Sequence, residues 1–441
     1  MLTNQFEPET NNQANQSTQR IQNASDVIDI NTRVVAESPS ATAQFTIALF
    51  TSITLLNKMF WLEADGTLGK KSNGSFWKGR VERVVLTGLS TLLPVIEACS
   101  RHQALGFGVP YNGAEDLDDV PIVTMKNYDP DGSAIPRTNE FFHFLAKTVT
   151  ALPFDIDGLA YATGEAAITA LRSLHPALEH VGLLAVPSSS SGITYRGKSM
   201  TTTNWHIWAL VDDGSRIPYI VDTLFKYSWL NGLGRIEISK SSALLIRGFI
   251  DKAVSQPNRL MYCAQPDVEG GLERKPPPSV LIEGEIGRAN ALVWTDEQEE
   301  QYQRLVADAK RKEGPEAKQK KADYVEERAL ALSTSTDIPL ERARDAITRT
   351  ITDHDLDPDF EIKLQNGNFI TIINLLRNCD DYDGALLFDP LEPDYGNGTI
   401  AKFYSNNGLA PIIFSHAHGG QIYQCREALC AVIREDINNV S

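Results

Sequence analysis

A chain of 441 residues with 42% hydrophobic and 22% charged side chains is long enough for two or three compact units, each burying a core. Its 57 acidic against 41 basic residues give a formal net charge of -16, which argues against a protein that coats duplex DNA, because coating needs a broad basic face. Cys99, Cys263, Cys379, Cys425 and Cys430 form no CxxC pair, so neither a disulfide framework nor a standard zinc ribbon is expected, and a reduced, cytoplasmic setting fits.

Residues 1–40 are polar, rich in Asn and Gln, and read as a disordered tail without the basic and apolar regions of a secretory signal. The window 41–60 is the most apolar, but Thr42, Gln44, Thr46 and Lys58 interrupt it. It is expected to be a buried helix, and no membrane span is expected. Between Val81 and Arg101, Leu89, Leu92, Leu93, Ile96 and Cys99 recur at helical spacing, with Pro94 as a kink or break. Turn-rich stretches follow at 112–119 and 127–137. Then come a strand over Thr150–Phe154, a helix over Gly164–Leu174, a strand over Val181–Val186 and another over Trp205–Val211. Ile217–Leu230 reads as a helix, Ala243–Val254 as a return to the sheet, and the prolines at 276–278 as a boundary. A charged helix over Thr295–Leu332 is expected to break or restart at Pro315, with a second helix over Ile338–Thr350. Phe360, Ile362 and Leu364 alternate before an Asn366-Gly367 turn, and Phe369–Ile373 leads into a helix. Helices and strands mix without strict alternation, so the fold class is α+β. The expected divisions are a tail at 1–40, a catalytic domain at 41–275, a helical linker at 276–355 and a small α/β domain at 356–441.

Four groups of residues carry possible chemistry. Asp155 and Asp157 lie two apart on a strand and so face the same way. Buried together they repel each other, and a divalent cation such as Mg²⁺ relieves that cost. An acidic pair before glycine also occurs in surface turns and helix N-caps. Ser188–Ser191, after an apolar strand, offer hydroxyls and backbone N–H groups to a phosphate, or form a plain polar loop. His206, between Trp205 and Ile207-Trp208, is either a hydrogen-bonded core residue or a member of a site. Finally, Arg235, Lys240, Arg247, Lys252 and Arg259 outnumber Glu237 and Asp251 locally. In an acidic chain that reversal suits a bound polyanion, although a salt-bridged face would look the same.

Taken in order, Asp155-Ile-Asp157, Asn204-Trp-His206 and Asp251 resemble the three motifs of the archaeo-eukaryotic primase superfamily. The closest branch is the primase-polymerases of phages, prophages and plasmids. The runs Val186–Ile193, Arg235–Ser241, Ile250–Val254 and Pro257–Leu260 are similar to it, as is the ending Phe388-Asp-Pro-Leu-Glu-Pro-Asp-Tyr with Ser415-His-Ala-His-Gly-Gly420. Asn204 departs from the serine of the second motif. Many relatives continue into a helicase, whereas this sequence contains no GxxxxGK[ST] loop, so the enzyme would work without an ATP-driven helicase of its own or recruit a separate replicative helicase as partner.

The resemblance implies a primase-type core and template-directed nucleotidyl transfer in replication of a mobile element. Asp155, Asp157 and Asp251 would hold two Mg²⁺ or Mn²⁺ ions, and His206, Ser190, Ser191, Lys240 and Arg259 would contact a nucleoside triphosphate over a single-stranded DNA template. The basic residues between Lys310 and Lys321 read as a solvated helix face or a template contact. The competing readings are a metal-dependent nicking nuclease or replication initiator, with Tyr195 as nucleophile, and a non-catalytic adaptor for single-stranded DNA or a helicase. His416 and His418, near Cys379, Cys425 and Cys430, fit no standard zinc spacing and are read as a structural or nucleic-acid-contacting turn.

Overall fold

The computed structural model describes residues 33–35 and 43–433, apart from 75, 157–159, 396–397, 406–409, 427 and 431. The polar tail expected at 1–40 lies outside the described residues except for the strand Arg33–Val35. The chain folds into two compact units. Unit 1 comprises the residues up to Leu233 together with Gly248–Glu299, and unit 2 comprises Gly234–Arg247 and everything from Glu300 onward. Both mix helices and strands, as α+β implies. No helix among the described residues is long and apolar enough to cross a membrane.

A large mixed sheet organises unit 1. Its strand order is Arg33–Val35, Val280–Ile282, Leu183–Pro187, Trp205–Val211, Thr150–Ile156, Gln44–Ser52, Gly79–Thr87, Asp119–Val123 and Ile135–Pro136, with Gln103–Gly106 also pairing Gln44–Ser52. Trp205–Val211 is antiparallel to both neighbours, whereas Thr150 meets Thr46 in a parallel pairing. The prolines at 276–278 therefore lie inside unit 1, because Val280–Ile282 follows them into the sheet.

Two expected helices are strands. Residues 44–52 and 58–62 extend, and Ile47, Ala48, Leu49 and Phe50 are all buried. A strand covered on both faces reads as a continuous apolar run, which periodicity does not distinguish from a buried helix. Gly79–Thr87 is likewise a strand rich in valine, and the helix is confined to Leu92–Ala98. Pro94 falls in the first turn of that helix, where a missing N–H costs little, so it breaks nothing.

Helices cover both faces of the sheet's centre. Gly164–Arg172, capped by the Thr163 hydroxyl accepting from Ala166 N–H at 3.2 Å, packs on the face that carries Trp205. The Leu92–Ala98 helix lies on the opposite face with His206 and Trp208, where Ile96 and Glu97 share a cavity with them.

Unit 2 begins with the hairpin Arg235–Ile238 and Leu244–Arg247. The helix Asp296–Thr336 runs through Pro315 without ending there, and Leu340–Asp353 follows. Short hairpin strands at Glu361–Lys363 and Phe369–Thr371 lead into the helix Ile372–Arg377, and an antiparallel sheet runs Leu386–Leu387, Ala401–Tyr404, Ile412–Ser415 and Gln421–Gln424. Phe360, Leu375, Phe403, Ile413 and Tyr423 pack with Ala346 and Ile347 into its core.

Candidate active site

The end of the Thr150–Ile156 strand gathers the motif residues. In the antiparallel register with Trp205–Val211, Asp155 stands directly opposite His206, and Val186 is next across. On the other side Ile156 bridges Ile250, and the Asp251 N–H donates to the Asp155 carbonyl at 3.0 Å. Asp251 therefore lies opposite Asp155 as well. Directly opposed residues of antiparallel segments project from one face, so Val186, His206, Asp155 and Asp251 form a single cross-strand row. The apolar residues behind the row, Leu152, Phe154 and Ile156, are fully buried and fix the register.

The row is electrostatically uneven. The Asp155 Oδ1 lies 3.6 Å from His206 Nε2, beyond hydrogen-bond distance. Burial lowers the His206 pKa, the Asp155 charge opposes that fall, and Lys58 reinforces it, so the ring is neutral at pH 7. Lys58, at the start of Lys58–Leu62, is itself lowered, first by burial and then by Lys70, while Asp155 favours its charge. Nothing in the sequence singles out this half-buried lysine, which there only interrupts an apolar window. Asp251 also serves the local backbone, since its Oδ1 accepts from Ala253 N–H at 2.9 Å and caps the Lys252–Ser255 turn.

On the far side of His206 from Asp155 a cavity of about 380 Å³ opens, lined by Ser189, His206, Trp208, Arg274, Gln265 and Glu97, with Val186, Pro187 and the prolines at 276–278 as its apolar wall. Three donors of residues that line it, the Ser189 hydroxyl, Trp208 Nε1 and Arg274 Nε, are themselves buried and lack partners among the described residues. Ser189 is 5% exposed and Trp208 is fully buried. A buried donor without an acceptor is costly unless a ligand or water supplies one. Arg274 is held in place by NH2 donating to the Ser188 carbonyl at 3.1 Å and by NH1 donating to Gln265. Glu97 is the opposing charge in the cavity.

The serine turn is built around Gly192. Its φ is +75°, and a Cβ there would come within 2.5 Å of the Pro276 backbone. The hydroxyls divide their work unequally. Ser191, wholly buried, donates to the Asn204 carbonyl at 2.7 Å and accepts from Asn204 N–H at 2.9 Å. Ser188 contacts the hydroxyls of Ser190 and Ser191 at 3.0 and 3.1 Å. Ser191 thus ties the turn to the His206 strand, Ser190 is half-buried at the rim, and Ser189 faces the cavity.

The remaining expected residues are placed elsewhere. Asp157 lies outside the described residues. Burial depresses the Arg137 guanidinium, and the charge of nearby Arg259 adds a smaller push in the same direction. Lys240 belongs to unit 2, where it pairs with Asp394 at 3.3 Å, and Arg247 pairs with Glu237 at 2.9 Å. Tyr195 ends a short strand with Arg196 over its ring at 5.1 Å. Among the described residues no group of three or more His, Cys, Asp or Glu side chains is gathered as a metal site. The donor set of the row nevertheless suits a hard cation: two carboxylates opposed on one face repel unless positive charge joins them.

Comparison with known proteins returned no match: no family model, no curated protein and no solved structure is similar to this chain.

Proposed function

We propose that unit 1 is a primase-type core that catalyses template-directed nucleotidyl transfer, as a DNA primase-polymerase of a mobile element. The observation that carries this reading is the cross-strand row of His206, Asp155 and Asp251. Three residues far apart in sequence meet on one face there, with a cavity lined by Arg274 and Ser189 beside them. Asp155 and Asp251, with Asp157 next along the chain, are the residues that would hold Mg²⁺ or Mn²⁺. When bound, such ions stabilise charge on the attacking and leaving oxygens.

The chain's own groups divide the remaining work. The His206 ring donates one N–H to a phosphate oxygen, and burial disfavours its charged form. Arg274, which lines the cavity, brings the positive charge that suits the phosphate tail, and Ser189 lies beside it. Lys58 offsets the Asp155 charge and adds positive charge where a leaving phosphate develops negative charge. Single-stranded DNA template and nucleoside triphosphates are the substrates of this reading.

The test incubates the protein with template, labelled nucleotides and Mg²⁺ or Mn²⁺, with and without primer. Nucleotide addition that Asp155→Ala abolishes is the expected result. Strand cleavage alone would favour the nicking nuclease, and binding without either reaction would favour the adaptor.

A further inference from the structure

Two arginines of unit 1 lie together with no acid between them. Arg137 follows the strand Ile135–Pro136, and Arg259 stands on the segment that runs on from Asp251. The two segments are tied through Asn258. The Arg137 guanidinium donates through Nη1 to the Asn258 carbonyl at 2.7 Å, and the Asn258 side chain donates back to the Arg137 carbonyl at 3.3 Å. The backbone around Arg259 has little freedom. Its N–H donates to the Gln256 carbonyl at 3.0 Å, and Leu105 and Met261 exchange both backbone bonds, at 3.0 and 2.7 Å. A Cβ on Gly108 would collide with the Pro257 carbonyl oxygen, so this turn is packed directly on the chain at 108.

The fold thus fixes where both side chains start, and their surroundings differ. Arg259 is exposed, whereas Arg137 is half-buried. Burial depresses the Arg137 guanidinium, and the Arg259 charge adds to that. Among the described residues no carboxylate pairs with either one. Other arginines of the same unit are answered: Arg80 meets Asp119, Arg83 meets Asp118 and Arg101 meets Asp267. In a chain of net charge -16, two adjacent cations without an acid are out of keeping with the rest of the surface. Like charges held together repel, and a bound anion relieves both that repulsion and the cost of the half-buried charge. Guanidinium forks match the oxygens of a phosphate group in particular.

We propose that Arg137 and Arg259 form a phosphate-binding site of unit 1, with Arg259 making the direct contact and Arg137 supplying fixed positive charge beside it. Neither residue lines the Arg274 cavity. Arg259 is expected from the sequence as a nucleotide contact, but Arg137 belongs to no motif and is brought to it by the fold alone. The phosphate comes from one of two sources that share this chemistry, the tail of a nucleoside triphosphate or the backbone of a single strand. The site rests on the paired charges and not on nucleotidyl transfer.

The experiment uses the full chain in Mg²⁺-containing buffer and measures binding in two separate arms, a fluorescent oligothymidylate and a deoxynucleoside triphosphate. Arg259→Ala lowers affinity about tenfold in one arm, the scale of one charge-assisted contact. A fall in the oligothymidylate arm, with the slope of log affinity against log salt flatter by about 0.7, assigns the strand backbone. A fall in the nucleotide arm assigns the triphosphate. A melting measurement separates a binding arginine from a structural one. Without phosphate, Arg259→Ala melts at or above the wild-type temperature, because repulsion on Arg137 is relieved, and pyrophosphate raises the melting temperature of wild type more than that of the variant. Arg137→Gln, which keeps an amide donor without the charge, weakens the same arm. If it does not fold, Arg259→Glu, which sets a carboxylate beside Arg137, abolishes binding in that arm. Lys198→Ala, an exposed charge elsewhere in unit 1, leaves both arms unchanged. Unaltered affinity of Arg259→Ala in both arms, or melting several degrees below wild type, would overturn the proposal. A protein that binds phosphate through Arg259 but adds no nucleotide would overturn the proposed function and leave this site standing.

Discussion

Asp251 does two jobs that a pair of substitutions can separate. Its carboxylate caps the Lys252–Ser255 turn through Ala253 N–H, and it faces Asp155 across the backbone bond between the two residues. Asparagine caps about as well as aspartate, whereas alanine costs about 1 kcal/mol at such a position. Asp251→Asn is therefore expected to melt within a degree or so of wild type, and Asp251→Ala about 2–4 °C lower for a unit of this size. Catalysis should follow the opposite logic, because both substitutions remove the charge. Losing a group that stabilises the transition state typically costs about 10²–10³-fold, or about 3–4 kcal/mol. Asp251→Asn and Asp251→Ala should thus lose nucleotide addition by similar factors. The assay pairs thermal melting with single-nucleotide addition over a range of Mg²⁺ and Mn²⁺ concentrations. If Asp251→Asn melts normally and also extends a primer at the wild-type rate, Asp251 is only a cap, and the row loses its third member.

Other consequences of the structure can be measured separately. Arg274→Ala is expected to raise KM for the nucleotide about tenfold with a smaller effect on kcat, since it removes a charge-assisted contact to the phosphate tail. Arg274→Lys should not restore it, because the planar guanidinium bonds Ser188 and Gln265 at once. Ser191→Ala should lower stability by about 1–3 kcal/mol in a denaturant titration, because the Asn204 N–H loses its acceptor, whereas Ser190→Ala at the rim should change stability little. Burial opposes ionisation of Glu392, yet His418 and Ser241 hold its carboxyl at about 2, below the ordinary 4.5. A depressed carboxylate stabilises the fold fully above its unfolded pKa, and that stability is lost as pH falls through the folded value. Denaturation of wild type and Glu392→Gln should therefore differ by at most about 3 kcal/mol above pH 5 and converge as pH falls from 4.5 toward 2. A gap that stays constant across this range would show that the charge does not matter.

How much of this is legible in the sequence depends on how local each signal is. The helix Ile217–Leu230 and the strand Trp205–Val211 match the reading, because each carries its own periodicity and punctuation. Residues 44–52 and 79–87 read as helix in isolation because their partners lie elsewhere in the chain. Residues 44–52, set between two other strands, are buried as one continuous apolar run, and only the pairing, Phe50 with Val81 or Leu49 with Leu105, reveals the extension. Pairing also explains why the proline run at 276–278 resembles a boundary. Nothing near it announces that Val280–Ile282 pairs with Leu183–Ala185. Pro315 illustrates the reverse case, a strong local signal that the surrounding helix overrides.

The site divides along the same line. Asp155, His206 and Asp251 are visible because each stands at a strand end with a characteristic neighbourhood, and their order suggests that they meet. Which serine faces the cavity is not visible. Four identical residues in a row carry no individual signal, and only the bonds from Ser191 to Asn204 leave Ser189 as the one with an unpartnered hydroxyl. Lys240 and Arg259 are attractive as charges close in sequence to Asp251, yet a charge is recruited by position in space. The hairpin takes Lys240 to Asp394 in unit 2, while Arg274 reaches the cavity from a strand paired with Ile193. Lys58 is hidden for a related reason: a lysine that interrupts an apolar run reads as a defect in a helix. Once the run is a strand, the same interruption becomes a half-buried cation that feels the Asp155 charge, and the lowered pKa values of Lys58 and His206 follow first from burial. The chemistry-bearing residues that the sequence misplaces are thus those whose role is set by a partner far along the chain.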